Sequence, residues 1–169
     1  MNEVSAGFVE RLDAVAARLH DLAPREVPEG ALTAADPPTG ERWEAGQVWA
    51  HLAEFIPYWV GEMALVLERG GSEPAVFGRT KSDPGRLSAI ERDRGKDRAA
   101  LWDRVAGDID SLRARLLGLD AEAWQAQGRH PTLGAMSMAR IVDEFLVGHL
   151  EQHAVQLDEL LTEAPRTGR

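Results

Sequence analysis

Five histidines are the residues here best able to do chemistry at neutral pH: His20, His51, His130, His149 and His153. A neutral imidazole offers one nitrogen lone pair to a metal or a proton. His149 and His153 are four apart and so share one face of a helix, one turn from each other. That face also carries Ile141, Val142, Phe145, Leu157 and Leu160, so it is the face that seeks the core. His51 precedes Leu52 and lies one turn before Phe55 on another apolar stripe. Three inward imidazoles from two helices each need a partner away from water, and one metal ion satisfies all three acceptors. His51 is about 10 Å inside its helix and the pair roughly 12–18 Å from the end of theirs, at 1.5 Å per residue. Antiparallel neighbours would therefore bring all three to one level. Three neutral ligands with open positions describe a catalytic metal site rather than a closed structural one. Zinc is the default, and nickel, iron or manganese also suit the ligand type.

The elements that must position these residues are helical. Strands are disfavoured, because no segment alternates apolar and polar for long. Apolar stripes at three- and four-residue spacing predict helices over about 4–22, 44–69, 88–117 and 137–161. Ser88 with Glu91 reads as a capping box opening the third, and Pro57 inside the second is expected to kink it. The link over 70–87 has no period of its own. Its length suits a crossover that lets the second and third helices run parallel. The expected fold is all-α: a single four-helix bundle over 1–163, up-down-down-up, with a flexible tail over 164–169.

Composition narrows the function classes. The 169 residues carry 28 acidic and 19 basic side chains and no cysteine. A net charge of −9 argues against nucleic acid as partner. Absence of cysteine excludes thiolate metal sites and a catalytic thiol. No apolar run reaches the roughly 20 residues of a membrane span, and a cytoplasmic protein without a membrane partner is expected. The sequence around His149 and His153 lacks the zincin glutamate, and no phosphate loop or nucleophile elbow is present. Glu54, one turn after His51, is a candidate base or orienting carboxylate; a plain surface carboxylate is the competing reading. Trp43, Trp49 and Trp59 are candidates for the mouth of the site, although aromatics at helical spacing usually belong to the core. His20 and His130 read as surface residues. The stretch 79–98 is locally basic and would draw an anionic small molecule; Arg92 and Arg94 are its candidate binding residues, against a reading as a solvated charged face.

Trp43-Glu-Ala-Gly-Gln-Val-Trp-Ala-His51-Leu-Ala-Glu, followed by His149-x-x-x-His153 on the last helix, resembles the DinB/YfiT-like superfamily of metalloenzymes. The resemblance implies a four-helix bundle with a long crossover and His51, His149 and His153 as metal ligands. A related branch is the mycothiol-dependent maleylpyruvate isomerases, where the ligand at position 149 would be Glu. Thiol-using relatives imply an S-transferase or isomerase dependent on mycothiol or bacillithiol. Metal-dependent hydrolysis and a non-catalytic metal-binding bundle are the alternatives. Related bundles often pair, which leaves a homodimer open.

The His triad sets the first expectation: the purified protein carries one divalent transition metal per chain by elemental analysis, and His149→Ala loses it.

Overall fold

The computed structural model describes residues 2–70 and 73–162; the tail over 164–169 lies outside them. Helix α1 spans Glu3–Leu22, with the Asn2 side chain accepting from the Ser5 amide at 2.8 Å. Helix α2 spans Ala45–Arg69, opened by a Glu44/Gln47 capping box. It runs without interruption through Pro57, whose ring is on an exposed face. The third expected helix is two: α3, Pro84–Asp93, and α4, Arg98–Gly118. The final run consists of α5, Met138–Val142, a π turn over Asp143–Val147, and α6, Gly148–Thr162.

Two expectations need correction. The third helix does not start at a Ser88 capping box. It starts at Asp83, whose carboxylate accepts from the Arg86 amide at 2.8 Å, with Pro84 entering the first turn. It then stops at Asp93, and Asp97 caps a fresh helix by accepting from Ala100. The end of α3 lies hard against the start of α2: a Cβ at Gly46 would overlap the Arg94 carbonyl oxygen.

The second correction is a three-stranded sheet in a chain expected to be all-α. Strand β1, Ala75–Val76, pairs parallel with β2, Gln127–His130; β2 pairs antiparallel with β3, Gly134–Ser137. Gly134, at φ +71°, supplies the left-handed turn residue of this hairpin. Strands of two and four residues are too short to display a two-residue period.

The stripes read from sequence form the core. Leu12, Val48, Leu52, Phe55, Val105, Leu112, Ile141 and Leu157 are all buried. Helix α4 packs on α1 and α2, and α6 packs on the same two helices. From just before α2 and along it, Trp43, Phe55 and Trp59 meet His153, His149 and Phe145 in descending order. Along α1, Arg11 and Arg18 pair with Glu151 and Asp158 in ascending order. Trp49 meets Trp102, and the Ala53 carbonyl accepts from Arg104.

One ionic knot fastens α3 to the bundle. Asp93, its side chain 1 % exposed, accepts from Arg92 at 2.9 Å, pairs with Lys96 at 2.8 Å and accepts from Arg104 at 2.9 Å. Its cover is these three cations, each itself largely in water. They hold its carboxyl well below the usual range, the Arg92 hydrogen bond contributing most. A depressed carboxylate stabilises the fold above its unfolded pKa and loses that contribution as pH falls. Asp93→Asn should therefore cost about 2 kcal/mol at pH 7 and flatten the acid limb of a pH series of denaturant midpoints.

Candidate metal centre

Helix α2 brings His51 inward and α6 brings His149 and His153; their ligand nitrogens all lie within 4.8 Å of one another. The Nε2 atoms of His51 and His153 each stand 3.1 Å from Nε2 of His149. His51 and His153 are buried and His149 half-buried. Trp43 stacks on His153 with ring centres 6.3 Å apart and meets His51 edge-on at 5.2 Å. Phe55 closes the other side, 4.7 Å from His149.

The outer ring nitrogens determine what the inner ones can do. His51 Nδ1–H donates to Glu54 Oε1 at 2.8 Å, and His153 Nδ1–H donates to Gln156 Oε1 at 2.7 Å. A neutral imidazole has one proton, so Nε2 of both rings is left with a lone pair only. Both lone pairs face His149 Nε2, which has at most one proton to share. At least one 3.1 Å contact therefore sets lone pair against lone pair. A cation between the three nitrogens resolves that conflict. A proton is disfavoured: burial pushes His51 and His149 well below the usual histidine range, neighbouring imidazoles adding to it, and burial takes His153 to about 4. The donor set fits a divalent transition metal.

Glu54, its side chain 7 % exposed, is held in turn. Arg79 donates to both its oxygens at 2.8 and 2.6 Å. Burial pushes the Glu54 carboxyl up and Arg79 pulls it back down. The Arg79 guanidinium lies 3.8 Å from the Tyr58 ring centre. Its backbone is fixed by His130: Nε2–H donates to the Arg79 carbonyl at 3.1 Å, while Nδ1 accepts from the Thr132 amide at 3.3 Å. Sequence position suggests a surface place for His130, but it is buried, because β2 turns its ring toward Phe77 and Phe145. His20 is exposed, as expected.

The triad opens into a cavity of about 690 Å³. Its wall includes Trp43, Trp59, Arg79, Arg86, His130 and Phe145, with Asp36 and Lys81 among its other lining residues. Trp59 and Phe145 stack at 4.1 Å. Trp49 is elsewhere, in the core against Trp102. Arg92 and Arg94 are not on the wall: Arg92 pairs with Asp93, and Arg94 with Glu44 and Glu91. The basic stretch is thus divided. Arg79, Lys81 and Arg86, in the loop and first turn of α3, face the cavity; Arg92, Arg94 and Lys96 face acids of the bundle. Sequence reasoning placed Arg79 in the basic stretch but missed its pairing with Glu54, and it missed the burial of His130. A buried Glu beside His51 demands a cation, and that demand was the available signal for Arg79.

The π turn ends at Val147, with only Gly148 between it and His149. A Cβ on Gly148 would meet the Asp143 carbonyl oxygen at 2.5 Å, the oxygen that accepts from the Gly148 amide. Such turns often sit at functional sites; this one directs Phe145 into the cavity wall ahead of the two ligands.

A helical bundle with three convergent imidazoles at the floor of a cavity defines a class of candidate metalloproteins. The DinB superfamily model matches residues 7–157, and the chain belongs to that superfamily. No curated protein matches. Among solved structures, the fold is similar to that of YfiT from Bacillus subtilis, described as a probable metal-dependent hydrolase with an unusual four-helix bundle topology. The TM-score is 0.70 at 19 % identity, covering 95 % of this chain and 87 % of that one. Among the described residues no helix is long and apolar enough to cross a membrane.

The depressed imidazoles have a stability consequence in the metal-free protein. In the unfolded chain a histidine takes a proton near pH 6.5, whereas folded His153 does so only at about 4. Its contribution is therefore present above pH 6.5 and lost as pH falls toward 4, about 3 kcal/mol in all. His153→Gln should flatten that part of a denaturant-midpoint series recorded after chelation.

Proposed function

We propose that the protein is a metal-dependent enzyme acting on a small molecule, with His51, His149 and His153 holding one divalent transition metal, zinc by default. The observation that supports it is the conflict at His149 Nε2, which faces the Nε2 lone pairs of His51 and His153, two rings whose tautomers are fixed by Glu54 and Gln156. A bound metal would supply Lewis acidity and bring the pKa of a coordinated water or thiol toward neutrality. Glu54 and Gln156 orient the imidazoles. Glu54 is committed to His51 and Arg79, so it is a positioning residue rather than the base. Glu41 and Glu144 also line the cavity, without an ion-pair partner among the described residues. Phe55, fully buried, keeps bulk water from the side of the triad away from the cavity.

Hydrolysis is the first reading. Three neutral ligands leave the metal's charge uncompensated, the condition that best activates water, and the similar YfiT fold is described as a probable hydrolase. Transfer or isomerisation with mycothiol or bacillithiol is the second reading, favoured by a cysteine-free chain and a cavity roomy enough for a thiol beside a substrate. The helix senses belong to the same reading: up-down-down-up, α2 parallel to α4 and antiparallel to α6, supported by the ordered pairs of aromatic and charged contacts along those helices.

The metal-loaded protein should hydrolyse 4-nitrophenyl acetate, with activity lost on chelation and in His149→Ala. Thiol-dependent consumption of an aromatic chloride without ester hydrolysis would select the second reading. Glu54→Gln keeps an acceptor for His51 and should lower metal affinity by about 10–100-fold, read by competition with a chromogenic chelator.

A further inference from the structure

Two guanidinium groups face the cavity, and they differ in one respect. Arg79 is neutralised by Glu54 and lies 3.6 Å from Asp83. Arg86 is 9 % exposed and has no ion-pair partner among the described residues. Its side chain makes one hydrogen bond, from Nη1 to the Lys81 carbonyl at 2.8 Å, and leaves its other donors uncommitted. The guanidinium carbon lies 5.2 Å from the Trp43 ring centre, and the same indole touches His51 and His153. Lys81 is paired with Asp36 at 2.7 Å, so it does not compete for an anion. A buried charge without a counter-charge is costly. Burial pulls the Arg86 pKa down, and Glu54, Glu41 and Asp36, none of them within ion-pair distance, only partly offset it. Across the same cavity, the stacked Trp59 and Phe145 rings form an apolar wall.

We propose that Arg86 anchors the carboxylate of an organic substrate whose aromatic or other planar apolar body lies along the Trp43, Trp59 and Phe145 walls, toward the three histidines. A planar fork of donors matches a carboxylate in two parallel bonds, and the aromatic walls set the size and flatness of the group that the carboxylate carries. This rests on the reading of the cavity as the substrate pocket, but not on the presence of a metal.

The test uses benzoate and its neutral isostere benzamide, titrated into the full chain while following tryptophan fluorescence, before and after chelation. Benzoate should bind at least about tenfold more tightly than benzamide in both states, as a charge-assisted bidentate pair implies. Arg86→Gln should remove that preference while leaving benzamide within about twofold and metal content unchanged. If Arg86→Gln loses both probes, Arg86→Lys decides: a surviving preference for benzoate supports the anchor, and its loss overturns it. Equal binding of the two probes by the parent protein overturns the proposal, as does a benzoate preference that Arg86→Gln retains. A preference that only chelation abolishes also overturns it, because the carboxylate then sits on the metal. A protein that binds no metal but keeps the Arg86-dependent preference refutes the metalloenzyme reading and leaves this anchor standing.

Discussion

Everything at the centre of this bundle depends on where two protons are held. Glu54 and Gln156 take the Nδ1 protons of His51 and His153, which strips both Nε2 atoms to lone pairs and aims them at a third imidazole 3.1 Å away. In water such rings would turn apart or take up protons. Here Trp43 and Phe55 confine them, and desolvation disfavours the protonated forms. The packing thus maintains an arrangement of donors that is electrostatically poor by itself and suited to a cation.

That arrangement is supported outward in layers, each with a reason. Glu54 can be buried because Arg79 neutralises it. Arg79 can reach it because its own backbone carbonyl is held by His130, at the end of a short sheet. Gly78, at φ +90°, brings the chain past His130 where a side chain would overlap that ring. The small sheet and the loop before α3 therefore fix the orientation of an imidazole on a different helix. A change in the sheet is expected to reach the triad through Arg79 and Glu54, the only path of direct polar contacts among these residues.

The distribution of cations expresses the same matching of partners. Arg92, Lys96 and Arg104 gather on Asp93 to tie two helices together, and Arg94 bridges α3 to the start of α2. Charges that look continuous along 79–98 serve two purposes once the chain folds. The division falls within α3: its first turn and the loop before it face the cavity, whereas Arg92 near its end, with Arg94 and Lys96 beyond, faces structural carboxylates.

The sequence alone determined the helices whose stripes are long: 4–22, 44–69 and the last run all recur within a residue or two, because burial imposes a 3.6-residue period that survives in the choice of side chains. It also singled out His51, His149 and His153, since inward imidazoles on apolar stripes stand out against that period. Tertiary structure decided the rest. Strands of two and four residues leave no periodic trace, so the sheet was invisible, and with it the burial of His130. The split of the third helix followed from Asp97 offering a new cap, a local signal overridden in the sequence by the longer stripe, and from the close approach of Gly46 to Arg94, which no pattern along the chain reveals. Which arginine meets which carboxylate is set by distances across elements, from Arg79 to Glu54 and from Arg104 to Asp93. Sequence spacing carries no information about those distances until the helices are packed.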